Sequence, residues 1–104
     1  MTIQLNADKH LNIHELFAEK LDDLLKKELS RFSEHITRLE VHFSDENGDK
    51  KGQDDKRCML EARLEGKQPV AVTAEAHTYE QSLKAAIDKL KSSLDTIIGR
   101  SRNH

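Results

Sequence analysis

Six histidines, one cysteine, several clustered carboxylates and seventeen lysines and arginines are the side chains here that could do chemistry. His10 and His14 stand four apart with Glu15 adjacent, a spacing that could present metal ligands on one helical face. His10, however, precedes the residue expected to cap that helix, and no Cys or third His lies nearby in sequence. Too few ligands converge for a closed zinc site, so no metal is expected. Asp22 and Asp23 fall on an exposed helix face, where nothing raises a carboxyl pKa for acid catalysis. Cys58 alternates with apolar residues, an inward position opposite in character to the cationic, accessible setting of a reactive thiolate. Asp45, Glu46, Asp49, Asp54 and Asp55 lack the ligand spacing and closing bidentate Glu of a calcium loop. The four glycines, Gly48, Gly52, Gly66 and Gly99, all suit turns or element ends. No phosphate-cradling loop, dinucleotide turn or nucleophile elbow is present. The chain therefore reads as a non-enzyme with no cofactor and no small-molecule substrate.

Its cations offer a different chemistry, the neutralisation of phosphate. Lys27 and Arg31 are spaced i, i+4, and Lys20 is i, i+7 from Lys27, so one helix could bring all three together. Arg57 and Arg63 point from the polar side of a strand. From residue 79 onward five Lys or Arg (Lys84, Lys89, Lys91, Arg100, Arg102) stand against three Asp or Glu, which makes the C-terminal segment the stronger anchor. The ordinary alternative is a solvated surface on which Asp23 and Glu28 compensate the charge locally. A net charge of −2 argues against a uniformly basic nucleic-acid binder but leaves room for a local basic patch. With only three Phe and one Tyr, stacking of single-stranded bases on an aromatic platform is not expected.

The elements that must position these groups follow from hydrophobic period. Ile3 and Leu5 alternate in a short first strand. Ile13, Phe17, Leu21, Leu24, Leu25 and Phe32 repeat at helical spacing, predicting a helix from Ile13 to Phe32 capped by Asn12, with Glu15 reaching back to it. Leu39, Val41 and Phe43 alternate with Arg38, Glu40 and His42 in a half-buried strand. Residues 45–56 hold five acids, three lysines, Asn47-Gly48 and no apolar side chain, and read as a long mobile hairpin loop. Cys58, Leu60, Ala62 and Leu64 then alternate with Arg57, Met59, Glu61 and Arg63. After Gly66 and Pro69, a last strand places Val70, Val72, Ala74 and Ala76 inward. Thr78 is the expected cap of a second helix with Gln81 in the capping-box position. Leu83, Ala86, Ile87, Leu90, Leu94 and Ile97 form its stripe, and Gly99 its stop.

This order predicts an α+β fold, β-α-β-β-β-α, with a four-stranded sheet and both helices packed on one face. The first strand belongs at an edge, with parallel pairing possible across the helical crossover. One hundred and four residues suit a single domain over 1–104, with a short flexible tail from about residue 100. A lone cysteine fits a reducing compartment. With no long apolar run or lipidation motif, the chain reads as soluble, cytoplasmic and free of membrane partners.

The chain resembles the ribosome-hibernation factor family, whose short forms include the hibernation promoting factor and protein Y. Ile13-x-Glu15 opening the first helix, Lys27 on its exposed side and Phe32 at its close carry the resemblance. So do Ala74-Glu75-Ala76 in the last strand and Ile87-Asp88-Lys89-Leu90 in the second helix. The resemblance implies binding to the 30S subunit or 70S ribosome, with basic side chains on 16S ribosomal RNA near the decoding channel. It carries Lys27 and Lys89 over as phosphate contacts. With the remaining cations, the expected RNA-binding set is Lys27, Arg31, Arg57, Arg63, Lys89, Lys91, Arg100 and Arg102. The expected action is inactivation of idle ribosomes by occlusion, by a monomer. The sequence departs from the family after Leu90, where Lys91, Ser92, Ser93, Asp95, Thr96 and Ile97 replace the usual cluster of Lys, Arg and His. That departure raises an alternative of another class, a protein-binding module that kept the fold without the RNA footprint.

Overall fold

A computed structural model describes residues 1–7, 15–45 and 56–102. The elements run β1 (Thr2–Ala7), α1 (Glu15–Glu28), a 3₁₀ turn (Ser30–Phe32), β2 (Ile36–Asp45), β3 (Lys56–Leu64), β4 (Val70–Ala76) and α2 (Tyr79–Arg102). The sheet order is β1-β2-β3-β4. β1 pairs parallel to β2 across the α1 crossover, whereas β2–β3 and β3–β4 are antiparallel. The α+β architecture and the edge position of β1 are as the sequence predicts.

Alternation puts Leu39, Val41, Phe43, Cys58, Leu60, Ala62, Leu64 and Ala74 in one buried cluster with Leu21, Leu25 and Leu29 of α1 and its following residue, and with Leu83, Ala86, Ile87, Leu90, Leu94 and Ile98 of α2. Both helices therefore cover one sheet face. The opposite face carries Arg38, Glu40, His42, Met59, Glu61 and Arg63, none of them buried. Phe43 sits under the starts of both helices, with ring centroids 5.8 Å from Phe17 and 5.5 Å from Tyr79. Such tilted and edge-on aromatic contacts add to the burial that holds each helix on the sheet.

Several boundaries differ from the sequence reading. α1 ends at Glu28, short of Phe32, and the chain tightens into the 3₁₀ turn, where the Phe32 amide donates to the Leu29 carbonyl at 3.0 Å. Leu29, absent from the expected stripe, is fully buried because it continues the Leu21, Leu25 row. β2 begins at Ile36, where a register irregularity lies between Ile36 and Arg38. That break in period lets Ile36 and Leu39 both face the core while Thr37 is exposed and donates its hydroxyl to the Arg63 carbonyl at 3.1 Å.

Asp45 and Lys56, assigned to the hairpin loop by composition, are the paired last and first residues of β2 and β3, joined by an ion pair of 2.9 Å. Thr78 caps α2 as expected, accepting the Gln81 amide at 3.1 Å. Gly99 does not stop the helix, and the tail expected from about residue 100 is helical through Arg102. Ile98, not Ile97, completes the buried stripe. Asn12, His10, His14, Ile13 and residues 46–55, with the expectations attached to them, lie outside the described residues.

Candidate nucleic-acid interface

The two helices lie side by side and run in the same direction, because contacts between them ascend together along both. Lys20 Nζ meets Glu80 Oε1 at 2.6 Å, Lys91 Nζ meets Glu28 Oε1 at 3.2 Å, and Arg31 meets Asp95 at 2.9 Å. Each pair spans the seam, so cations of each helix are neutralised by acids of the other. The Lys20 ammonium holds the Glu80 carboxyl below its ordinary range, first by hydrogen bond and then by charge. Within α1, the Asp22 carboxylate likewise raises Lys26, at 2.9 Å. Between the helices lies a groove of about 250 Å³ lined by Leu24, Glu28, Lys84, Ile87 and Asp88.

On this frame the expected phosphate contacts separate into classes. Lys27 is exposed near the end of α1 and has no ion-pair partner among the described residues. Lys89 is also exposed, and its ammonium donates to the Thr73 carbonyl of β4 at 2.8 Å. Arg31 and Lys91 are both engaged by acids across the seam, and the Arg31 guanidinium also lies 4.5 Å from the Phe32 ring centroid. Arg31 follows the end of α1, so Lys20, Lys27 and Arg31 do not form one helical row. Glu28 compensates Lys91 of α2 rather than a neighbour on its own helix. Arg100 and Arg102 fall in the final turn of α2.

Arg57 and Arg63 occupy the other side of the molecule, on the open sheet face. Arg63 approaches Glu40 at 3.4 Å, and Glu40, with only 14% of its side chain exposed, also has Arg38 at 3.9 Å and His42 at 3.7 Å. Arg57 lines a depression of about 380 Å³ with Asn6, His42, Ser44 and Met59. These two arginines and the helix cations cannot share one flat footprint, since the sheet and core lie between them.

Lys84, not among the expected contacts, is exposed in α2 and lines the seam groove. Its spacing of i, i+7 from Lys91 was the available signal that it shares that face. Cys58 is fully buried, and burial pushes its thiol up to about 12, the reverse of a nucleophile. Among the described residues no group of three or more His, Cys, Asp or Glu could hold a metal ion, and no helix is long and apolar enough to cross a membrane.

Comparison with known proteins gives this geometry a family. Several solved structures share the fold, and two illustrate it. One is a ribosomal subunit interface protein from Coxiella burnetii, with TM-score 0.74 and 18% identity over 95% of this chain and 99% of that one. The other is the N-terminal domain of Protein Y from Thermus thermophilus, with TM-score 0.72 and 18% identity over 93% of this chain and 99% of that one. A search of curated protein sequences found no match. The family model described as sigma 54 modulation protein / S30EA ribosomal protein matches residues 8–102, nearly the whole chain, and the protein belongs to that family.

Proposed function

We propose that the protein is a cytoplasmic, ribosome-associated regulator of translation that binds the 30S subunit, alone or within the 70S ribosome, and inactivates idle ribosomes by occlusion. The observation that carries this reading is the family match across residues 8–102, which spans every element from α1 to α2. The 16S ribosomal RNA near the decoding channel is the proposed contact, and phosphate neutralisation by helix cations the proposed chemistry. Lys27, Lys84 and Lys89, exposed and without acidic partners in ion pairs among the described residues, are the primary contacts. Arg100 and Arg102 extend the set along α2. Occupancy of the channel suffices for the effect, so the reading needs no catalytic group and no cofactor.

Sucrose-gradient co-sedimentation with 70S ribosomes and separated subunits tests this at about 50 and 200 mM salt, where phosphate contacts weaken visibly. Co-migration with 30S and 70S that fades as salt rises is expected. Its absence at the lower salt would refute the reading. One observation favours a protein-binding module instead: acids across the seam already engage Arg31 and Lys91. Lys27→Glu separates the two, because an RNA binder loses affinity and salt slope while a module reading the sheet face does not.

A further inference from the structure

The seam pairs have a bearing on affinity that residue types alone do not reveal. A cation held about 3 Å from a carboxylate presents a dipole rather than a charge to an approaching phosphate. It holds little of the electrostatic attraction that drives phosphate binding. For Arg31 or Lys91 to contact RNA, a phosphate must take the place of Asp95 or Glu28 and then lie beside the displaced acid, a like charge. Glu28 and Asp95 thus oppose RNA twice, by engaging the cation and by repelling the ligand. Asp88, in the groove with Glu28, adds to the repulsion on the same face.

We infer that Glu28 and Asp95 set the strength of RNA docking by withholding Lys91 and Arg31, leaving Lys27, Lys84 and Lys89, with Arg100 and Arg102 beyond them, to carry the helix contacts. This rests on the proposed ribosome binding, and makes two acids of the chain its affinity-determining residues.

The test measures ribosome binding of wild type and the double variant Glu28→Gln, Asp95→Asn across a salt series. Both substitutions keep side-chain shape at partly or well exposed positions, and circular dichroism with thermal melting checks the fold. The double variant should bind more tightly. Its slope of log affinity against log salt should steepen by about 1.4 to 1.8, the contribution of two further phosphate contacts. That corresponds to an extra fall of roughly tenfold between about 50 and 200 mM salt. Unchanged affinity and slope with normal wild-type binding would overturn the inference and leave ribosome binding standing. Failure of both proteins to bind would overturn both, and binding by the variant alone would refute ribosome binding by the native chain and, with it, the inference that its remaining helix cations are effective. The reciprocal swap Arg31→Asp with Asp95→Arg retains the pair. It should bind like wild type, and a loss of affinity would show that Arg31 contacts phosphate directly.

Discussion

Arg31 and Asp95 stand 64 residues apart in sequence and 2.9 Å apart in space, tying the end of the first helical segment to the last turns of α2. Both side chains are at least half exposed, so the pair contributes at most about 1 kcal/mol and is screened by salt. A double-mutant cycle with Arg31→Ala and Asp95→Ala, read by denaturant unfolding, should give a small coupling that vanishes by about 1 M salt, where the screening length is about 3 Å.

Acid should weaken the seam through Glu80. Its folded pKa lies below the unfolded value because Lys20 favours the charged form. Its stabilisation is therefore complete above the ordinary glutamate range and is lost as pH falls through the depressed folded value. Thermal melts from pH 7 to 3 should show a smaller acid-induced decline for Glu80→Gln than for wild type.

Alkali should act through Cys58. Its folded pKa is pushed up to about 12 from 9.0, so the unfolded chain ionises first. Stability from this group is complete below about pH 9 and is lost as pH rises toward the folded value. Cys58→Ser should remove that alkaline slope while lowering stability at neutral pH. In the native wild type the thiol should resist a thiol reagent at pH 8 and react on unfolding.

Gly66 and Gly99 should respond oppositely to alanine. Gly66 turns the chain between β3 and β4 at φ +71° with open space around it, so Gly66→Ala brings strain without a clash and should cost about 1 kcal/mol. Gly99 is helical and a Cβ there meets nothing within 4 Å. Gly99→Ala should stabilise α2 by up to about 1 kcal/mol. Opposite shifts in melting temperature would bear this out.

Period carried most of the architecture. Alternation at Leu39, Val41 and Phe43 and at Cys58, Leu60, Ala62 and Leu64 was enough to name the buried sheet face, and spacing named most of each helix's stripe. It failed where local geometry broke period. Ile36 is buried through a register irregularity, and Gly99 passes inside a helix whose packed face continues to Ile98. Composition misplaced Asp45 and Lys56, because opposite charges side by side read as loop although they pair across a strand end. The candidate interface was less legible for a different reason. Exposure of Lys27 followed from helical spacing, but the partners of Arg31 and Lys91 lie on another helix, and no feature of either segment alone reveals the register between them.

The parallel pairing of β1 with β2 has a consequence for the order of folding. β2, β3 and β4 pair antiparallel in chain order, whereas β1 meets its partner β2 after the whole of α1 has been laid down. Closing that larger loop delays its contacts. β1 also sits at an edge, uncharged and only partly buried. The meander with α2 is expected to condense first, with β1 joining last and opening first. In native-state hydrogen exchange, the amides of Ile3 and Leu5 should lose protection well before those of Leu60 and Ala62, so the domain unravels from its N-terminal edge while its centre still holds.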